Sequence, residues 1–218
     1  MAGRPQAQPR PCLAETGDRA LPAVMSRIFP VLLLLLAGCA ATPELPPVAD
    51  PSQAWADHQH RLAGVAAWQL GGRIAIRTED EGWQAGIDWQ QQEQAYLIQL
   101  TGPLGQGSLR LQGDGRLVTL SSGDEVLVDE DAETLLYRQM GWRVPVAALR
   151  YWALGLPAPG PAEHELNPQG LLARLHQSGW TIEFRDYVHR GELTLPGRLF
   201  ISNHRAQVRL VVDRWEKL

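Results

Sequence analysis

The sequence predicts a mainly β domain with inserted helices, and three observations support that class. Apolar and polar residues alternate over most of residues 70–128 and again after residue 180. Glycines beside aspartate or serine punctuate these runs at the spacing of tight turns. Helical spacing is confined to three short stretches, one ahead of the first strand and two between the β regions.

The elements follow in order. Trp55, His58, Gln59, Leu62, Val65 and Ala66 recur at helical spacing, and Ser52 is a suitable N-cap, so a helix is expected over about 52–66. From Leu70 to Arg77 the large apolar residues fall on even positions and the arginines on odd ones, as in a strand with one buried face. Trp83, Ala85, Ile87 and Trp89 form a second such row, and Glu79-Asp80-Glu81-Gly82 makes the pair a hairpin. Tyr96, Ile98 and Leu100 mark a third strand. Leu109/Leu111, Val118/Leu120 and Val126/Val128 mark three more, which completes an antiparallel meander.

Asp129-Glu130-Asp131 favours a helix N-terminus, and the helix through Leu135, Leu136 and Met140 should stop at Gly141. A third helix is expected from Pro145, carrying Val146, Leu149, Trp152 and Ala153 until Gly155 and Pro157 end it. The Pro-rich stretch 157–161 reads as a surface crossover. Strands resume at Trp180–Phe184, Leu193–Ile201 and Val208–Val212. A twisted antiparallel sheet of this length tends to curl with its apolar face inward. Pattern alone leaves open whether the interior is a greasy cavity or a filled core.

The first fifty residues read as export and anchoring signals. Val31 to Ala37 is an apolar run of seven residues, preceded by Arg27 and followed by Gly38-Cys39. Such a run is far short of the roughly 20 residues of a membrane-spanning helix, so a cleaved signal peptide over 1–38 is expected. Leu36-Ala37-Gly38-Cys39 has the form of a lipobox, which makes Cys39 the site of lipid attachment. Met25 precedes Ser26-Arg27, where a short basic n-region should begin. Residues 1–24 are therefore expected to be untranslated or an extended n-region. Residues 39–51, with prolines at 43, 46, 47 and 51, should form an extended tether, leaving 52–218 as one domain.

The mature chain would hold sixteen basic and twenty-two acidic side chains, a balance of −6, which argues against a nucleic-acid partner. Cys12 lies ahead of the cut, so no disulfide framework is possible. No catalytic or metal constellation emerges. His164-Glu165 lacks a second histidine before Pro168, His58 and His60 face different sides of their helix, and His176, His189 and His204 have no ligand spacing, so each of these five is expected at the surface or satisfied. No serine sits in a nucleophile elbow, and the carboxylates between Asp124 and Glu133 suit turn and helix-capping duty. No cofactor is implied.

One loop invites a sharper interpretation. In Gly102-Pro103-Leu104-Gly105-Gln106-Gly107 a single leucine sits at a turn between Pro103 and Gly105, without the lysine of a phosphate cradle. Leu104 either folds back into the core or stays exposed, where it would suit brief insertion into lipid.

Taken in order, the lipobox, Gly72-Arg73-Ile74, Trp89, Gly102-Pro103-Leu104-Gly105, Gly141-Trp142-Arg143-Val144-Pro145-Val146, the segment from Leu149 to Pro157 (LRYWALGLP), Gly179-Trp180 and a closing strand ending at Trp215 resemble the outer-membrane lipoprotein receptor family LolB. The resemblance spans essentially the whole mature chain. It implies an unclosed antiparallel β-barrel, a half-barrel, with an α-helical lid and an apolar cavity that receives acyl chains. It also implies an outer-membrane protein that takes acylated lipoproteins from the periplasmic carrier LolA and inserts them into the membrane without ATP. By the same resemblance Cys39 carries the lipid, Ala40 suits outer-membrane sorting, and Pro103, Leu104 and Gly105 form the membrane-insertion loop. Leu70, Ile74, Ile76, Ile87, Trp89, Tyr96, Ile98 and Leu100 are the candidate cavity wall. A monomer is expected. An envelope enzyme would need converging titratable groups, and a structural scaffold lipoprotein of an outer-membrane assembly would have a filled core and take up no lipid.

Overall fold

A computed structural model of the chain describes residues 46–216 apart from Gln106, Trp142 and Arg143. The signal segment, Cys39 and the tether as far as Leu45 lie outside the described residues. The first helix, α1, runs Pro51–Ala63. Its cap is Asp50 rather than Ser52: the Asp50 carboxylate accepts from the backbone N–H groups of Ser52 and Gln53 at 2.9 and 3.1 Å. Pro51, expected in the tether, opens the helix, where a proline loses no intrahelical hydrogen bond. Gly64 ends the helix, so Val65 and Ala66 lie beyond it.

Six strands follow as a meander: β1 Ala67–Thr78, β2 Gly82–Gln92, β3 Ala95–Thr101, β4 Ser108–Gly113, β5 Val118–Ser122 and β6 Glu125–Asp129. Helix α2, Ala132–Met140, is capped by Asp131 and stops at Gly141 in the left-handed conformation. Helix α3 spans Val146–Ala153, with Pro145 at its N-cap. Then come β7 Glu163–Leu166, β8 Leu172–Gln177, β9 Trp180–Arg185, β10 Val188–Arg190, β11 Leu193–Leu195, β12 Arg198–Ser202 and β13 Ala206–Glu216. The segment expected as one strand, Leu193–Ile201, is broken at Pro196-Gly197. Its first part pairs with β10 in a separate ribbon and its second joins the main sheet. The break follows from proline, which cannot donate to a ladder.

The main sheet orders its strands β6-β5-β4-β3-β2-β1-β13-β12-β9-β8-β7 with antiparallel pairing throughout. Its two ends, β6 and β7, do not pair with each other, so the barrel is unclosed. The long β1–β13 ladder joins the two halves. One residue, Asp213, is skipped between Gly71↔Arg214 and Gly72↔Val212, a bulge that bends the sheet. Side chains at Ile76, Ile87, Ile98, Leu111, Leu120, Leu199 and Leu210 turn to one face and are buried there. Trp68, Trp89 and Trp215 pack on the same core with ring centroids 4.8 and 5.5 Å apart. The indole N–H of Trp89 donates to Gln91 and that of Trp215 to the Pro196 carbonyl, so neither is an orphan donor.

His58 was expected at the surface or satisfied, and it is neither. It is 1 % exposed on the inner side of α1 beside Trp55, and neither ring nitrogen has a hydrogen-bond partner. Burial, with the nearby Arg61 charge, pushes its pKa down from 6.5 to about 4. The neutral ring is thus the folded form, while the unfolded chain takes up a proton from about pH 6.5 downward. The stability this group confers is therefore complete above about pH 6.5 and is lost as the pH falls towards 4. In urea unfolding, His58→Leu should remove an acid-side loss on the order of 2 kcal/mol that wild type shows across this window.

Candidate functional site

The concave face of the sheet and the two middle helices border a partly open cavity of about 110 Å³. All twenty residues that line it are apolar. Six of the eight residues expected on the wall are there: Ile74 and Ile76 from β1, Ile87 and Trp89 from β2, Ile98 and Leu100 from β3. The other two lie elsewhere. Leu70 is fully buried opposite Trp89 and Trp215 in the neighbouring ladders. Tyr96 turns over Gly113 into a separate cleft with Asp131 and Arg150. Burial and the Asp131 charge push the Tyr96 hydroxyl up to about 12, so it stays neutral.

The rest of the wall comes from positions that an element-by-element inspection of the sequence does not connect. Leu109 and Leu111 extend it along β4, and Leu199, Ile201, Val208 and Leu210 extend it through β12 and β13. Their alternation was legible, but the β1–β13 pairing that puts them beside Ile74 and Ile76 was not. Leu136 of α2 and Val146, Leu149 and Trp152 of α3 close the cavity as a lid.

Two side chains secure that lid. Trp152 is fully buried, and its indole N–H donates to Gln177 of β8 at 3.0 Å. The same amide oxygen accepts from the backbone N–H of Ala158 at 2.9 Å, and its NH₂ donates to the Ala158 carbonyl at 2.8 Å. Gln177 therefore ties α3 and the Pro-rich crossover to the sheet. On the other side of α3, Arg150 donates to the Glu93 carbonyl in the β2–β3 turn at 3.0 Å. Sequence reasoning missed both polar ties, because an isolated Gln or Arg carries no positional signal.

Pro103, Leu104 and Gly105 form a single turn between β3 and β4. Leu104 does not fold back: it is 96 % exposed. It also adopts φ 58°, a left-handed conformation that costs a residue with a Cβ about 1–2 kcal/mol. The chain forgoes here the burial of a leucine, worth about 1.5–3 kcal/mol, and holds a strained backbone as well. Folding gains from neither feature, which makes the turn a candidate for a role other than stability.

An all-apolar cavity under a helical lid and an exposed apolar turn form a site without converging titratable groups. The family model for the outer membrane lipoprotein LolB matches residues 66–215. The chain belongs to the LolB family. A relative named outer-membrane lipoprotein LolB from Nitrosococcus oceani is 41% identical over 187 residues, covering 84% of this chain and 93% of the relative. Another of the same name, from Chromohalobacter salexigens, is 37% identical over 211 residues and covers 96% of each chain. Among solved structures, a LolA superfamily protein from Nitrosomonas europaea aligns with TM-score 0.45 at 8% identity, covering 78% of this chain and 94% of that one. In this LolB-family chain the unclosed sheet and its helical lid border an apolar interior. No described helix is long and apolar enough to cross a membrane.

Proposed function

We propose that the chain is a lipoprotein receptor of the outer membrane, anchored on its periplasmic face by lipid on Cys39. It accepts acylated lipoproteins from the periplasmic carrier LolA, holds their acyl chains in the cavity, and releases them into the membrane without ATP. The observation that carries this proposal is the wholly apolar cavity between the sheet and the lid. A polar or charged lining would orient a small molecule, whereas this one can hold alkyl chains by packing and discriminates little between cargos.

Magnitudes set what must move. Each CH₂ removed from water is worth about 0.8 kcal/mol, so a lipoprotein with several acyl chains cannot cross water bare. At about 110 Å³ the space between sheet and lid is smaller than the ~150 Å³ that holds one benzene ring, so room for an acyl chain requires the lid to move away from the sheet. Trp152–Gln177 and Arg150–Glu93 are the hydrogen bonds that displacement of α3 would break, at a net cost of about 1 kcal/mol each. A bound acyl chain offsets that cost with its first few methylenes. No nucleotide is needed if the receptor binds the chains more tightly than the carrier, and the membrane more tightly still.

Leu104 serves the last step by entering the lipid interface. Leu104→Glu is expected to leave uptake of acylated lipoprotein from the carrier unchanged and to slow delivery to vesicles by roughly tenfold or more, since a carboxylate is strongly disfavoured in lipid. Quantifying labelled cargo in receptor and vesicle fractions separates the two steps. Delivery at the wild-type rate would sink the insertion role.

A further inference from the structure

One patch on the outer face of the sheet is rich in arginine, although the chain as a whole carries a formal charge of −4. Odd positions of β1 and β13, with their neighbours on β12 and β9, bring Arg73, Arg77, Arg209, Arg198 and Arg185 onto one surface. Arg73 stands opposite Val211, Val211 opposite Arg198, and Arg198 opposite Arg185. One row along, Ala75 faces Arg209 and Arg209 faces Phe200. The Arg198–Arg185 pair is a direct cross-strand pairing of like charges, which destabilises a sheet unless counter-charge is at hand. The guanidinium groups of Arg185 and Arg209 lie 4.9 and 5.5 Å from the centre of the same Phe200 ring.

The chain's own carboxylates do not complete the neutralisation. Asp213 pairs with Arg73, Asp186 with Arg198, and Glu183 with Arg185. Arg77 and Arg209 have no carboxylate partner among the described residues. Two open furrows of about 670 and 640 Å³ run between these side chains, and Arg209, Ala75 and Gln84 border both. The second furrow reaches Gly102 and Pro103, the base of the Leu104 turn.

We infer that this arginine furrow is a docking surface for the phosphates of anionic phospholipid headgroups, engaged when Leu104 enters the same membrane. The inference rests on the proposed insertion role of Leu104, because the furrow's continuity with that turn is what selects a lipid surface as the occupant. Guanidinium groups match phosphate oxygens in a two-pronged geometry, and their exposure makes the attraction sensitive to salt. The furrow and the leucine thus give the receptor two contacts of different chemistry, one with headgroups and one with the acyl region, which fix its orientation at the surface.

The test uses the mature chain with Cys39→Ala, so that its own lipid does not mask weaker contacts. Co-sedimentation is measured on vesicles of phosphatidylcholine alone and on vesicles with added phosphatidylglycerol. Wild type should prefer the anionic vesicles, and the preference should fade as salt rises. Arg77→Ala with Arg209→Ala should lower affinity for the anionic vesicles by about thirtyfold while leaving that for neutral vesicles unchanged. Leu104→Glu should weaken binding to both kinds. If Leu104→Glu has no effect but the arginine variant abolishes the anionic preference, the furrow stands and the insertion role falls. Equal binding of wild type to both vesicles, or an arginine variant that keeps the preference, overturns the inference. An arginine variant that keeps the preference but slows cargo uptake from the carrier would make the furrow a protein-docking surface instead.

Discussion

Trp152→Ala is expected to lower stability by about 4 kcal/mol, the middle of the range for removing a large buried aromatic. The indole is fully buried at the meeting of lid and sheet, and it borders the apolar cavity. Its loss enlarges that cavity and cuts the hydrogen bond from α3 to Gln177. The Gln177 oxygen keeps the Ala158 N–H as donor, so the destabilisation is mainly lost packing and not an orphaned acceptor. Urea unfolding gives the stability. Under conditions where the variant is still folded, an apolar fluorescent probe should bind it faster than wild type, because the lid has lost its main anchor. A loss below about 1 kcal/mol would mean that α3 is held some other way.

Gly72→Ala should cost about 3 kcal/mol, a large effect for one methyl group. A Cβ at residue 72 would collide with the Val211 carbonyl oxygen, a backbone atom that cannot rotate away. The close approach sits at the bulge where β1 passes Asp213, on the ladder that joins the two halves of the sheet. Relief of the clash must shift β13 against β1, and with it Val208 and Leu210 against Ile74 and Ile76 on the cavity wall. The variant should therefore show a lower denaturant midpoint together with altered probe affinity. A variant as stable as wild type would show that the strands can part there without cost.

The parts of this fold that were legible in the sequence are those held by local physics. β1 to β6 follow from strict alternation and from glycine at the turns, and α2 follows from Asp131 at one end and Gly141 at the other. β7 and β8 were not visible. Leu172 and Leu175 are both buried but differ in parity, and the register shifts between Glu165 and Leu166, so the period of two is broken. The cavity was legible only in half. Ile74, Ile76, Ile87, Trp89, Ile98 and Leu100 share a face by alternation, but the β12–β13 half of the wall depends on a pairing between the two ends of the domain. Leu70 satisfies the same parity yet belongs to the tryptophan-lined core, because alternation fixes the face of a strand and not the position along it. Leu104 shows the opposite case. The sequence left its direction open, and the positive φ with near-complete exposure decides it.

Helix α1 shows why buried polar groups escape such an inspection. His58 lies on the inner face with Trp55 and Leu62 at helical spacing, and only packing shows that no partner meets its ring. An unpaired neutral imidazole is tolerated there because the ring gives up its proton rather than hold a buried charge.

Transfer of cargo distinguishes a receptor from a structural lipoprotein. The mature chain with Cys39→Ala is mixed with a carrier loaded with a labelled, acylated lipoprotein, without nucleotide, and each partner is recovered separately. Label should pass to this chain, and an apolar probe should compete with it for the cavity lined by Ile98, Leu111 and Leu199. Label that stays on the carrier, together with a chain that binds no apolar probe, would contradict the receptor role and leave a structural lipoprotein with a filled core.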